Sequence, residues 1–283
     1  MIPIQKVSAD SPQLLNLRLW LTLQDMISFF IKKAFFDGWD NLLGIFVFNL
    51  AYVALLVIGL AVFSSMGSNT ALYLLLFLAF IFVVAVCMGG SAGVVFNYSN
   101  YTRDSWQAFR DSIGRNIRHS VLYALVMAVF FLNIVFTIPF YLSSGSLGLL
   151  ICIVLLWLEV LIFIAVPYYF PLMNLLPADR PLKTARKCLI IAADNMGFTI
   201  FLAFYNLFCI ALSVFTLGLI PGLTGMQLAA QDGMKLLMFK YDWIEKENPD
   251  VKERRHAPWA DLLYDEKEKV GPRSLKSMIF PWK

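Results

Sequence analysis

The 283 residues are 59% hydrophobic and 15% charged, with a mean hydropathy of +0.70, which places the chain outside the soluble globular range. A net charge of +4, gathered at the edges of apolar runs, argues against nucleic acid as a partner. The four cysteines (Cys87, Cys152, Cys188 and Cys209) form no CxxC pair and read as small apolar residues, not as a disulfide or metal framework.

The first 13 residues contain Lys6 and Asp10 and no apolar core segment. The expectation is therefore an uncleaved chain whose first crossing serves as the insertion signal. Pro12 follows Ser11 in the arrangement of a helix start. Arg18, Thr22, Asp25, Ser28 and Lys32 then form a polar stripe, with Trp20, Leu23, Ile27, Phe30 and Ala34 opposite. Such a helix, placed just before a crossing, belongs in the headgroup region.

A hydrocarbon core of about 30 Å needs roughly 20 apolar residues in helix. Residues 42–63, 71–96, 121–141, 147–170 and 196–220 meet that requirement. A sixth stretch, 221–239, is weaker because it contains Gln227, Gln231, Asp232 and Lys235. All 23 Lys and Arg residues lie in the N-terminal segment, in alternate connections or toward the C-terminal end, Lys235 within the last turns of the sixth stretch, while connections 64–70 and 142–146 are uncharged. This is the positive-inside pattern of a multi-pass protein of a cytoplasmic membrane with both termini in the cytoplasm.

The expected fold is thus all-α: a polytopic transmembrane bundle of about six crossings, arranged as three helical hairpins with amphipathic cytoplasmic helices. Residues 1–41 form the N-terminal helix, 42–240 the bundle and 241–283 a cytoplasmic tail. Six crossings, with a turn at Gly218, Pro221 and Gly222, return the tail to the cytoplasm. Thr224, Gln227, Gln231 and Lys235 make one polar stripe on the sixth segment, and Gly225, Ala229 and Gly233 make a ridge of small residues. A helix of that kind packs inside a bundle; a re-entrant or interfacial helix is the alternative.

Three places share one layout of short amphipathic helix, Asn and hairpin, marked by Asn41, Asn116 and Asn195 at separations of 75 and 79 residues. The helix beginning at Ser105 carries Trp106, Phe109, Ile113 and Ile117 on one face and Arg110, Arg115 and Arg118 exposed. It is either a docking surface for a cytoplasmic partner or an interfacial anchor.

The segment FFDGWDNLLGIFVFNLAYVALLVIGLAV at 35–62, the segment 106–136, and 181–238 with its Gly-Leu-Ile-Pro-Gly turn together resemble the YesL-like family of bacterial membrane proteins. The resemblance covers most of residues 32–241. It implies a helical bundle in the bacterial inner membrane, in a family whose members often accompany sugar-uptake ABC transporter components. It supplies no catalytic residues. The long N-terminal helix, the tail of roughly 40 residues and the long second crossing depart from the family pattern.

Two acids fall within the crossings, Glu159 near the middle of the fourth and Asp232 in the sixth. A carboxyl group at that depth costs at least about 2.5 kcal/mol and is a functional candidate by default. Asn49, Asn133 and Asn206 on the three outward crossings are its candidate partners, and the alternative is a neutral Glu159 that locks helices together. Asp232 can pair with Lys235. Gly89-Gly90-Ser91-Ala92-Gly93 matches G-x-S-x-G, but lies within an apolar helix and has no histidine in a crossing to serve as base. Gly89 and Gly93 read instead as a packing ridge. There is no P-loop, HExxH or metal-ligand cluster, so neither enzyme chemistry nor a cofactor is expected. The sequons at Asn97 and Asn100 fall on the cytoplasmic side and read as chance.

The tail from residue 241 holds nine Lys/Arg and nine Asp/Glu and ends in an apolar-aromatic stretch, 277–283, that reads as a docking peptide or a frayed end. Three functions follow as expectations: an accessory or permease-like subunit for solute uptake, a small transporter or channel using Glu159, or a scaffold recruiting partners through the tail. The expected partners are the lipid bilayer and a membrane or cytoplasmic protein.

Overall fold

A computed structural model describes residues 12–65, 70–250, 254 and 257–273, with side chains from Gln24 onward. The docking peptide expected at 277–283 and the side chains of Arg18 and Thr22 lie outside the described residues. Among the described residues the fold is all-α. The helices are α1 (Pro12–Asp40), α2 (Leu42–Ser65), α3 (Thr70–Ser99), α4 (Trp106–Leu132), α5 (Ile138–Leu142), α6 (Gly145–Ala165), α7 (Tyr169–Leu175), α8 (Pro181–Asp194), α9 (Met196–Phe215), α10 (Gly222–Glu247), α11 (Trp259–Leu262) and α12 (Tyr264–Val270). A π-helical stretch, Asn133–Thr137, joins α4 to α5, and a 3₁₀ turn, Val166–Tyr168, joins α6 to α7.

Five of these rods are long and apolar enough to cross a membrane: Leu42–Ser65, Thr70–Ser99, Trp106–Leu142, Gly145–Leu175 and Met196–Phe215. The protein is therefore a polytopic helical membrane protein. Helix α10 is not among the five, because its polar stripe dilutes an otherwise sufficient length. The second amphipathic segment is no separate helix. Residues from Trp106 run without a break into the third crossing. The layouts around Asn41 and Asn195 do contain helix breaks, and there each side-chain amide donates to the carbonyl four residues back, Asp37 and Ile191. Asn116 sits inside α4 and reaches the Ser112 hydroxyl instead.

The chain divides into two compact units. The larger, residues 37–234, holds α2 to α9 and the first half of α10. Helices α3 and α4 pack extensively on one another. Small residues on α3 permit this: a Cβ on Gly93 would lie 2.6 Å from that of Ser112, and one on Gly89 would lie 2.2 Å from the Ser120 hydroxyl. Backbone proximity lets Ser112 donate to the Gly89 carbonyl at 2.7 Å. Outward, this unit presents residues such as Leu43, Val47, Leu150, Trp157 and Phe204, at least 62% exposed, as lipid-facing surfaces do.

The smaller unit comprises α1 up to residue 36, α10 from residue 235, and the tail. Met26, Phe29, Phe30, Lys33 and Ala34 are buried at helical spacing. Lys33, fully buried, pairs with Glu266 of α12 at 3.5 Å, and Lys235 of α10 pairs with the same carboxylate at 3.1 Å. Lys32 donates to the Gly271 carbonyl at 2.8 Å, and Arg273 lies 4.8 Å over the Phe36 ring. Residues 257–273 are thus folded against helices from both ends of the chain.

Candidate functional site

Polar side chains within apolar helices need partners, since water is not at hand to supply them. Asn49 shows how one is satisfied. It is fully buried on α2, about 10 Å along the helix from Leu42 at 1.5 Å per residue. Its amide nitrogen donates to the carbonyls of Leu219 (2.9 Å) and Pro221 (2.6 Å), while its oxygen accepts from the Thr224 backbone N–H at 2.9 Å. It therefore caps the start of α10 from another helix, supplying what an N-cap residue would otherwise give. Gly222 makes room: its φ is +59°, and a Cβ there would fall 2.4 Å from the Asn49 amide.

A second chain of bonds links α2, α3 and α10. The Ser91 hydroxyl donates to Gln227 Oε1 (2.5 Å), which leaves Tyr52 as donor to Ser91 (2.8 Å). Gln227 Nε2 donates to the Met88 carbonyl at 3.0 Å. Ser91 is thereby engaged by a phenol and an amide, not by an imidazole; the His119 ring packs on Tyr169. Asn174 donates to the Ala92 carbonyl at 2.8 Å and, at 3.4 Å, to Gln231. The small residues of α3 expose the carbonyls that these amides use, a role the composition of Gly89-Gly90-Ser91-Ala92-Gly93 signals only as close packing.

Glu159 stands apart from these networks. It is buried on α6, neither carboxyl oxygen has a hydrogen-bond partner of standard geometry, and Asn133 of the π-helical stretch is the side chain facing it. Asn49 is engaged at the start of α10, and the side-chain oxygen of Asn206 has no hydrogen-bond partner. Asp232 is fully buried on α10, beside the buried small residues Ala229 and Gly233. Gly225 abuts Pro221, where a Cβ would meet the proline at 2.6 Å.

Asn206, Gln227 and Gln231 do converge. They line a cavity of about 370 Å³ whose other walls are apolar side chains of α3, α4, α6, α7, α9 and α10. Neither Glu159 nor Asp232 belongs to its lining. A separate polar pocket of about 290 Å³, lined in part by Asp104, Asp111, Arg115 and Asn174, lies at the charged end of α3 and α4.

Outside the spanning rods, Asp179 meets Lys183 at 2.7 Å and also Lys187, and these hydrogen bonds hold its carboxyl below the usual aspartate range. Cys188, buried on α8, has its thiol pushed up to about 12 by burial, which keeps it a neutral apolar residue. Among the described residues no cluster of three or more His, Cys, Asp or Glu side chains is placed to hold a metal ion.

No protein-family model, curated protein or solved structure matches the chain. The class stands on the fold itself: an all-α, multi-pass helical membrane protein.

Proposed function

We propose that the protein is a non-enzymatic subunit of the bacterial cytoplasmic membrane that accompanies a solute-uptake system, sugars being the class the YesL-like resemblance suggests. One observation carries this reading. The buried acid Glu159 and the amides Gln227 and Gln231 do not share a cavity, and no charged side chain lines the cavity that the amides do share. Among the described residues the buried acid and the amides therefore line no common polar path, which supports uptake through a partner. Exposed Arg110, Arg115 and Arg118 on the first turns of α4, and exposed Arg186 on α8, offer that partner a basic surface.

Both termini are assigned to the cytoplasm. The positive-inside pattern supports this, and so does Glu266, which pairs with Lys33 near one end of the chain and Lys235 near the other. Shared pairing favours both ends lying on one side of the bilayer, which calls for an even number of crossings. In this reading α9 and α10 form the last outward and returning pair.

The test is co-purification from native membranes in mild detergent after lysine-reactive crosslinking. The expected result is one membrane or cytoplasmic protein retained in fixed ratio, and lost when Arg110, Arg115 and Arg118 are changed together to Glu. Recovery of the chain alone after crosslinking would contradict the subunit reading. A second reading, a self-sufficient small transporter, is favoured by the unsatisfied carboxyl of Glu159 beside a π-helical stretch.

A further inference from the structure

The cavity of about 370 Å³ falls within the range of roughly 300–1,000 Å³ usual for small-ligand sites. Its chemistry is uneven. Most of the wall is apolar, no lining residue is charged, and three amides stand on adjacent faces of α9 and α10. Of these, Gln227 has both ends of its amide engaged by Ser91 and Met88. Gln231 accepts only a long bond, 3.4 Å, from Asn174. Asn206 is 7% exposed, and its side-chain oxygen has no hydrogen-bond partner. A buried acceptor without a donor is destabilising, and a bound O–H or N–H donor would remove that penalty.

The lip of the cavity is apolar and open. Phe131 on α4 and Ile210 on α9 both line it, and are 39% and 41% exposed. In a bilayer these surfaces meet hydrocarbon, so the entrance faces lipid. Ile210 lies one helical turn beyond Asn206, about 6 Å along α9.

We propose that this cavity binds a neutral single-chain lipid bearing a hydroxyl head group, a monoacylglycerol or long-chain alcohol. The head donates to Asn206 and is flanked by Gln231, and the chain lies between α4 and α9 past Phe131 and Ile210. The uncharged wall selects against fatty-acid carboxylates and phosphate heads, whose buried charge would have no counterion. The volume of about 370 Å³ has room for the head and the first part of one chain, whose remainder passes out over the apolar lip into the bilayer. The inference requires only that the bundle sits in lipid and is independent of the uptake-subunit reading.

The full chain in phosphatidylcholine nanodiscs is irradiated with a monoacylglycerol carrying a diazirine in its chain, and labelled residues are mapped by mass spectrometry. The expected labels fall on the cavity segments of α4 and α9 around Met127, Phe131 and Ile210. Unlabelled monopalmitoylglycerol should compete, and palmitate at alkaline pH should not. Asn206→Leu removes the head's acceptor and should lower labelling about tenfold. Ala230→Phe fills the cavity and should abolish it. Ile210→Trp alters only the exposed lip, so it should fold normally and still reduce labelling, which keeps the test decisive if either interior variant fails to fold. Labelling indifferent to Ile210→Trp, equal competition by palmitate, or labels confined to outward residues such as Leu150 and Trp157 would overturn the proposal.

Discussion

Asn49 of α2 accepts a hydrogen bond from the backbone N–H of Thr224, 175 residues away, and so closes the first turn of α10 from outside that helix. The same side chain holds the carbonyls of Leu219 and Pro221. Loss of Asn49 therefore strips partners from three backbone groups, of which the Thr224 N–H is buried and the Leu219 and Pro221 carbonyls are half-buried. Asn49→Leu is expected to cost about 1–3 kcal/mol or more, read as a fall in melting temperature in detergent. Gly222→Ala should also destabilise, through its φ of +59° and the clash with Asn49. Because the two changes act on one contact, their effects should sum to less than the separate losses.

Glu266 receives Lys33 and Lys235 in a buried cluster. Glu266→Leu alone leaves buried ammonium charge behind and should cost about 3–5 kcal/mol, whereas Lys33→Met with Glu266→Leu should cost less. Hydrogen exchange across 259–270 gives the readout. Equal protection in the wild type and Glu266→Leu would show that the ion pairs do not hold the tail segment.

Packing of α3 on α4 is checked by a pair of glycines. Gly93→Leu pushes a side chain into Ser112 and should destabilise by about 1–3 kcal/mol. Gly114 has open space where its Cβ would be, so Gly114→Ala should be neutral or slightly stabilising, by up to about 1 kcal/mol.

The lysine clasp on Asp179 gives a pH dependence. A carboxyl held below its ordinary value of 3.8 contributes its stabilisation fully above that value and loses it as pH falls through the depressed one. The start of α8 should therefore loosen only under strongly acid conditions, seen as faster hydrogen exchange at residues 181–187. Asp179→Asn should remove that acid-dependent step, and a transition near neutral pH would contradict the assignment.

The apolar rods were legible because continuous hydrophobic runs of this length have few alternatives to membrane helices; expected 42–63 and found Leu42–Ser65 differ by two residues. What could not be read were pairings over long separations. The alternating charges of 241–283 look like a solvated linker, and nothing local marks Glu266 as the one that meets Lys33. Asn49 was visible as a polar residue in a crossing, but its partners are backbone groups, which carry no sequence signal. Gln227 and Gln231 stood out by helical spacing, whereas the cavity they line with Asn206 depends on how six separate helices pack.

Orientation has its own check. Cysteine introduced at Ser144 should react with an impermeant maleimide from outside intact cells, and cysteine at Arg115 or Lys183 should not. Labelling of the latter two with Ser144 protected would invert the topology.

The central claim is that this chain does not move a hydrophilic solute by itself. Reconstitution of the purified protein into proteoliposomes, with uptake of a radiolabelled sugar panel followed over time, tests it most directly. Flux equal to that of protein-free liposomes, and the same for wild type and Glu159→Gln, is the expected result. Saturable flux in the wild type that disappears in Glu159→Gln would contradict it and establish a self-sufficient transporter.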